Sequence, residues 1–271
     1  MPSNDITLGA GVRQSLISQQ QVSVLLARTT ERLASGKRVN SPIDDAQAFF
    51  AAQDHRNRAS DLAARKDAIG EAIQTVETAD GAVEGITNLI EQAKGLLASA
   101  RSTSDTAERA SLATQYDSIR TQIDQLAGDS SYRGTNLLGS DDLTVEFNED
   151  GSSDLTISGF DGSSSGLSID AAAGSFATDT NIDDAETDLD GALTTLRTQS
   201  QSLSSNLGVI TTREEFTTQL INSLQTGADN LTLSDPNEEG ANMLALQTRQ
   251  QLGVVALSLS SQAQSSVLSL F

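Results

Sequence analysis

The 271-residue chain contains no cysteine, no tryptophan, one histidine and few basic residues. Without cysteine it forms no disulfide framework and no cysteine-bound zinc or iron–sulfur site. Its 17 Lys and Arg are outnumbered by 37 Asp and Glu, and the net charge is −20. Nucleic-acid binding needs clustered basic side chains that neutralise phosphates, so this balance argues against a nucleic-acid partner. It also argues against a basic helix on a membrane surface.

Aromatic residues make up only 3% of the chain, which makes a large aromatic core improbable. Long helices that share a narrow apolar stripe need fewer bulky residues, and they are the architecture that this composition favours. The C-terminal segment 250–271 carries no charged side chain but several Gln and Ser. It is too polar for a membrane-spanning helix, so no membrane insertion is expected.

Apolar residues recur at alternating steps of three and four along several segments, the pattern of amphipathic helices. The longest stripe extends from Ile69 to Ala100, and shorter ones cover 112–126 and 189–210. Both termini show similar stripes with Ser and Gln between the apolar positions. Their apolar members are Leu8, Val12, Val22, Leu26 and Leu33 at one end and Leu252, Ala256, Leu259, Ala263, Val267 and Leu270 at the other.

These terminal stripes have two interpretations. They either lie buried in the protein's own core or pack against other copies of the chain. Ser15 and Gln19 interrupt the first stripe, and uncharged helices suit a crowded array in which repeated like charges would be costly. We therefore favour contacts between copies and treat the eleven stripe residues as a hypothetical assembly interface.

Helix starts and a hairpin are marked by local sequence. Ser41-Pro42 and Asp235-Pro236 each place a capping side chain before proline at a first helical position, and Asp105 caps a further helix. Apolar and polar residues alternate over 143–147 and 155–157 across a turn at 148–152, which predicts a β-hairpin. Residues 140–190 contain 14 acidic and no basic side chains, which indicates a solvated, turn-rich insertion.

No catalytic, cofactor-binding or metal-binding residues are predicted. His55 has no nucleophile or orienting partner at a specific spacing and is interpreted as a surface or interface histidine. Asp44 and Asp45 are interpreted as first-turn acids that complement a helix dipole. The segment from Glu146 begins like a calcium loop, but Ile157 stands where the bidentate glutamate should be, so a hairpin turn is preferred.

Three motifs resemble bacterial flagellins. Residues 33–46 (LASGKRVNSPIDDA) are similar to an N-terminal flagellin signature, and residues 132–138 (YRGTNLL) to the turn before the variable region. Residues 246–253 (LQTRQQLG), followed by Ala256-Leu257-Ser258 and Ser269-Leu270, are similar to the flagellin C-terminus. The motifs occur in family order, and the resemblance covers roughly residues 4–139 and 185–271.

The resemblance implies a secreted subunit that polymerises into the extracellular flagellar filament for swimming motility. The fold class expected is mainly α, a long antiparallel helical rod or coiled coil formed by the N- and C-terminal halves, with a small hairpin-containing insertion. Residues 1–40 are expected to form an inner-core helix that pairs with 236–271. Residues 41–139 and 181–235 are expected to form the rod, and 140–180 a small acidic outer insertion.

The resemblance also implies partners: further copies of the chain in an open helical polymer, the flagellar export apparatus, the filament cap and hook-junction proteins. Glu91 aligns where flagellins recognised by innate immunity carry arginine, so weak recognition is expected. Phe271 stands where relatives often end in arginine. The alternatives are a hook–filament junction adaptor, an enzyme on a helical scaffold, which lacks a convergent catalytic set, and a coiled-coil adhesin that forms closed oligomers.

Overall fold

The structure, a computed structural model, describes residues 10–268 and is mainly α-helical. This confirms the expected fold class of long helices with a small β-hairpin. In chain order the elements are α1 (Ala10–Ser35), α2 (Ala46–Ser102), α3 (Thr106–Asp129), β1 (Leu143–Glu146), β2 (Asp154–Ile157), a short 3-10 helix (Ala173–Phe176), α4 (Asp179–Thr232) and α5 (Pro236–Leu268).

The chain divides into two compact units. The central unit comprises Arg58–Asn222, and the terminal unit comprises the segments Met1–Asn57 and Ser223–Phe271. Helices α2 and α4 each contribute residues to both units. The central unit therefore contains α3 and the hairpin, and the terminal unit contains α1 and α5.

The core of the central unit is the long stripe on α2. Every predicted stripe residue from Ile69 to Ala100 is buried except Ile73, which is half-buried. Helix α4 packs antiparallel to α2, since Lys94 pairs with Asp190 at 2.7 Å and Ser200 donates to Asp80 at 2.8 Å. The sequence stripe on α4 is likewise buried, and its fully or nearly fully covered members are Leu189, Leu193, Leu196, Leu203 and Ile210.

Helix α3 approaches α2 closely at Gly85. A Cβ built on Gly85 would lie 2.9 Å from Leu126 Cδ2, so the glycine provides the space that α3 occupies. Tyr116 and Ile123 are the fully buried large residues of α3, and Tyr116 packs edge-on against Phe176 with ring centroids 5.4 Å apart. The glycine thus serves helix packing, and α2 continues through it as regular helix.

The predicted β-hairpin is present in the central unit. β1 and β2 are antiparallel with Val145 opposite Leu155 and Thr144 opposite Thr156. Val145 and Ile157 are buried, whereas the two threonines face solvent. Two ion pairs of 2.6 Å connect the hairpin to α2, Arg58 with Glu149 and Arg65 with Glu146.

Two of the three predicted helix starts are confirmed and one is wrong. Asp105 caps α3 by accepting a 2.8 Å hydrogen bond from the Ala107 amide, and α5 begins at Pro236 after Asp235. Helix α2 begins at Ala46, however, and not at Ser41-Pro42. Asp45 is its cap, since its carboxylate accepts from the Ala48 amide at 3.0 Å.

The misplaced start has a physical reason. The Asp44 carboxylate does reach back to the Ser41 amide, at 3.1 Å, as a capping acid would. It also accepts from the Asn40 amide and pairs with Arg28 at 2.9 Å. These contacts close a turn before the helix.

No helix within residues 10–268 is long and apolar enough to cross a membrane.

Candidate assembly surface

Helices α1 and α5 pack against each other in antiparallel orientation. At one end of the pair Arg32 contacts Glu239, and farther along Gln19 donates to the Gln250 carbonyl at 3.4 Å. Because the residue numbers of the contacting positions fall along α1 as they rise along α5, the two helices run in opposite directions. Backbone hydrogen bonds fix the base of the pair, from the Arg38 amide to the Thr232 carbonyl at 2.7 Å and from the Ser234 amide to the Gly36 carbonyl at 3.0 Å.

The contact face between these helices is narrow and partly polar. Its buried or half-buried positions on α1 follow the predicted stripe as far as Thr29 and are Val12, Ser15, Gln19, Val22, Leu26, Thr29 and Arg32. On α5 they are Glu239, Gly240, Met243, Leu246, Gln247, Gln250, Gly253, Leu257 and Ser260. Among these sixteen residues only Val12, Thr29, Glu239 and Leu246 are buried, so the pair has almost no core of its own.

The predicted C-terminal stripe does not form the face that meets α1, and its role as an interface between copies stays a prediction. The stripe through Leu252, Ala256 and Leu259 lies one residue before the contact face, which is a rotation of about 100° around the helix axis. Leu252 and Leu259 are consequently 63% and 62% exposed. Ala256 and Ala263 are exposed as well.

The other predicted interface residues divide between the two faces. Val12 is buried and Val22 and Leu26 are half-buried against α5, whereas Leu33 is 40% exposed. Leu8 and Leu270 lie outside the described residues, and so does the side chain of Val267. Whether the exposed members contact other copies of the chain stays a prediction.

Exposed apolar side chains are concentrated on this helix pair. Fifteen large apolar residues of the described chain are exposed, and five lie on α1 and five on α5. Those of α1 are Leu16, Ile17, Val24, Leu25 and Leu33, and those of α5 are Leu244, Leu252, Val254, Val255 and Leu259. We call these ten residues the exposed apolar set. Such a concentration is typical of a surface that another molecule covers.

The stripe analysis missed seven members of this set, although the sequence contains a signal for them. Leu16-Ile17, Val24-Leu25 and Val254-Val255 are adjacent apolar pairs. Neighbouring residues of a helix lie about 100° apart, so both members of a pair cannot belong to one narrow contact face. Apolar pairs on a helix that has a single narrow stripe therefore indicate a second covered face.

The turn at Asn40–Asp44 lies in the same unit and is held rigidly. The Arg28 guanidinium and the Ser41 and Asn40 amides lower the pKa of Asp44 to about 2. Ile43, next to it, is 93% exposed. Asp44 and Asp45 thus serve as a turn acceptor and a helix cap. The prediction that both lie in the first turn of a helix is wrong, because α2 begins at Ala46 and has no acidic residue in its first turn.

His55 and the segment that resembles a calcium loop, the remaining candidate sites, both make structural contacts. His55 is half-buried, and its Cδ2 atom would lie 3.6 Å from a Cβ at Gly227. In the hairpin turn Asn148 Oδ1 accepts from the Ser153 amide and Asp150 from the Ser152 amide, which confirms a turn there. Among residues 10–268 no group of three or more His, Asp or Glu side chains is arranged to hold a metal ion.

Comparison with known proteins identifies similar sequences along nearly the whole chain. Residues 12–141 match the model of the bacterial flagellin N-terminal helical region, and residues 179–271 match that of the C-terminal helical region. Flagellin FljM of Caulobacter vibrioides is 30% identical over 272 residues, covering 100% of both chains. A flagellin of Brucella melitensis is 30% identical over 258 residues, 91% of both chains.

A solved structure is similar as well. The crystal structure of Bacillus cereus flagellin superimposes with a TM-score of 0.49, at 17% sequence identity, over 55% of this chain and 88% of that one.

Proposed function

Because this chain belongs to the bacterial flagellin family and is a structural subunit of the flagellar filament, we propose a surface for its assembly. The exposed apolar set on α1 and α5 forms its contacts with neighbouring subunits. The observation that carries the proposal is the contrast between the thin α1–α5 contact face and the ten large apolar side chains outside it. None of the relatives named above is a hook-junction adaptor, and no feature of residues 10–268 favours that alternative.

Helix α5 is suited to a polymer contact because most of its length carries little charge. Beyond Glu239 the described part of α5 contains one charged residue, Arg249. Repetition of a subunit along a filament repeats every surface charge, so an uncharged apolar surface avoids accumulated repulsion. Contact between two different surfaces of the same chain generates an open helical polymer when the rotation between neighbouring copies does not close into a ring.

We further infer that the subunit is exported and assembled at the filament outside the cell, with the export apparatus, the filament cap and hook-junction proteins as its other partners. Family membership supports these partners, and they extend the self-assembly that the family implies. The acidic segment 140–190 faces solvent in the central unit for much of its length, which suits an outward position in a filament.

The test replaces two exposed leucines of α5, Leu252→Gln together with Leu259→Gln, and measures the critical concentration for polymerisation by sedimentation and electron microscopy. Burying one leucine side chain contributes about 1.5–3 kcal/mol, and each factor of ten corresponds to about 1.4 kcal/mol. We expect the critical concentration to rise about a hundredfold or more. Because both leucines are more than 60% exposed within the chain, the helix content of the monomer should not change.

A matched control introduces the same side chains at neighbouring exposed positions, Ser258→Gln together with Ser261→Gln, and removes no apolar group. It should polymerise within a few-fold of the parent. An unchanged critical concentration in the Leu252/Leu259 variant would refute the proposed interface and leave family membership untouched. Equal defects in both variants would indicate that bulk, and not lost apolar contact, governs assembly at this face.

A further inference from the structure

The α1–α5 contact face contains a partly buried ion pair at its base, in which the Arg32 side chain is 26% exposed and that of Glu239 is 7% exposed. Arg32 Nη1 lies 3.1 Å from Glu239 Oε1, and the Glu239 residue is only 5% exposed. Arg32 Nε and Glu239 Oε2 are buried without a hydrogen-bond partner among the described residues. An incompletely satisfied buried ion pair adds little stability compared with apolar residues of similar size, but breaking it leaves an unpaired buried charge. Such a pair discriminates between alternative packings.

The apolar residues of the face discriminate poorly between such packings. Leu and Val residues occur all around α5, at Leu244, Leu246, Leu252, Val254, Val255, Leu257 and Leu259. If α5 slid by one heptad, about 10.5 Å, Leu257 would replace Gln250 and Gln250 would replace Met243 on the face. These two positions would still hold one apolar and one polar side chain, whereas Arg32 would face Leu246 and Glu239 would lose its partner.

A second polar contact sits farther along the same face. The Gln19 side chain lies over Gly253, so closely that a Cβ at Gly253 would clash with Gln19 Oε1 at 2.3 Å. Gln19 also donates to the Gln250 carbonyl. A heptad shift would place Ser260 where Gly253 lies and remove the space that the glutamine fills.

We propose that the Arg32–Glu239 ion pair sets the register of α1 against α5, with the Gln19–Gly253 contact as an auxiliary. The four residues of these two contacts act by positioning the helices. The register decides how the exposed apolar residues of the two helices align with one another, so the inference deepens the proposed function and, for assembly, rests on it. Buried polar residues in helix interfaces are the best-attested device for choosing register.

The absence of native cysteine permits a direct test on the full-length protein after polymerisation into filaments. The pair Gln19→Cys/Gly253→Cys reports the described register, and Gln19→Cys/Ser260→Cys reports a slip of one heptad. Both pairs remove the glutamine contact and leave Arg32–Glu239 as the register determinant. Disulfide formation in a glutathione buffer is followed by mass spectrometry, and the ratio of the two rates is the readout.

With Arg32 and Glu239 in place, we expect the disulfide of Gln19→Cys/Gly253→Cys to form at least tenfold faster than that of Gln19→Cys/Ser260→Cys. With Arg32→Met/Glu239→Leu the ratio should fall toward one while far-UV circular dichroism keeps its helical signal. The charge exchange Arg32→Glu/Glu239→Arg should restore the tenfold preference. Arg13→Met/Glu31→Leu, which removes one charge of each sign from exposed positions of α1, should keep it.

Three results would overturn the proposal. These are an unchanged ratio in Arg32→Met/Glu239→Leu, a charge-exchanged variant that slips as much as the apolar one, and a loss of helix signal on apolar replacement. The last would assign the pair to stability and not to register. Because the readout is a disulfide within single chains that have already polymerised, its failure is distinguishable from failure of the assembly interface, which is measured by critical concentration.

Discussion

The central unit and the α1–α5 pair are both built from long helices with heptad-like stripes, yet they bury their apolar residues very differently. In the central unit, α2, α3, α4 and the hairpin enclose one continuous cluster of buried residues from Ile69 to Ile210. In the α1–α5 pair only four side chains of the contact face are buried, and ten large apolar residues remain exposed.

This difference shows that a stripe alone does not determine what covers it. A stripe that meets two or three other elements becomes a core, whereas a stripe that meets a single helix covers only a strip about one residue wide on each partner. The apolar residues on the other faces of α1 and α5 then need a partner outside the pair. Stability should therefore depend on the central unit, and assembly on the terminal helices.

The sharpest test of this contrast compares a buried with an exposed truncation. Ile86→Ala removes a fully buried side chain and should lower the free energy of unfolding by about 3 kcal/mol. Leu259→Ala should change it by less than about 0.5 kcal/mol in the monomer. Urea unfolding followed by far-UV circular dichroism and tyrosine fluorescence measures both.

The fluorescence signal is specific, because Tyr116 and Tyr132 are the only tyrosines and both belong to the central unit, and tryptophan is absent. Similar losses for Ile86→Ala and Leu259→Ala would contradict the division between a core that stabilises the subunit and helices that assemble it.

A smaller effect is expected at Tyr116, whose buried hydroxyl has no hydrogen-bond partner among the described residues. Tyr116→Phe removes an unsatisfied polar group and should stabilise the central unit by about 1 kcal/mol at neutral pH. Tyr132→Phe is the matched control, since the Tyr132 hydroxyl donates to Glu71 at 3.0 Å and its removal should destabilise. Opposite signs in the two variants support the burial argument, and equal signs would refute it.

The same tyrosine gives a pH dependence. Burial, with a smaller contribution from Asp188, raises the pKa of Tyr116 well above 10. The folded state therefore holds a proton that the unfolded chain releases near pH 10. Stability should be constant below that pH and decline as the pH rises above it. Tyr116→Phe should reduce this decline, as measured by urea midpoints between pH 8 and pH 11.

Two glycines of α2 separate helix propensity from packing. Gly81 has no atom within 4 Å of a built Cβ, so Gly81→Ala should stabilise by about 0.8 kcal/mol through helix propensity alone. Gly85→Ala places a Cβ 2.9 Å from Leu126 Cδ2, so the same gain should be offset by displacement of that leucine. Thermal unfolding should rank Gly81→Ala above Gly85→Ala, and the reverse order would contradict the close approach of α3.

The smallest and most local effect concerns Asp44 in the terminal unit. Its pKa is lowered to about 2 mainly by Arg28, so the hydrogen bonds of its turn should be stable above about pH 4 and weaken as the pH falls toward 2. Hydrogen exchange of the Ser41 and Asn40 amides, which donate to this carboxylate, measures the change. Asp44→Asn should make their protection lower and insensitive to pH in this range, and protection that stays pH-dependent would exclude Asp44 as the cause.

The helices of the central unit could be predicted from sequence because their apolar residues have one consistent period. The stripe from Ile69 to Ala100 and that from Leu189 to Ile210 each select a single face, and those faces are buried. The hairpin was equally predictable, since alternation over 143–147 and 155–157 flanks a turn rich in Asn, Asp and Gly.

The face of α5 could not be chosen in this way. Its leucines and valines are spread around the helix, so a stripe through Leu252 and Leu259 and one through Leu246 and Leu257 fit the sequence almost equally well. The residues that distinguish them are polar. Glu239 and Gly253 gain meaning only once Arg32 and Gln19 lie opposite, and no local pattern in α5 contains that information.

The predicted start of α2 was wrong for a related reason. The sequence Ser41-Pro42-Ile43-Asp44 satisfies the pattern of a proline-initiated helix, and the expected bond from Asp44 to Ser41 forms. The contact with Arg28, sixteen residues earlier on α1, is non-local. Together with the adjacent capping bond from Asp45 to Ala48, it shifts the first helical residue to Ala46.

The hairpin has a consequence for how this protein can diverge. Its inward residues and the pairs Arg58–Glu149 and Arg65–Glu146 attach it to α2, whereas Thr144 and Thr156 contact mainly each other at the surface. Lineages can therefore exchange the outward side chains or lengthen the tip at 148–152 while the few anchoring residues persist. The surface that the hairpin presents to other molecules and the capacity to polymerise then depend on separate sets of residues.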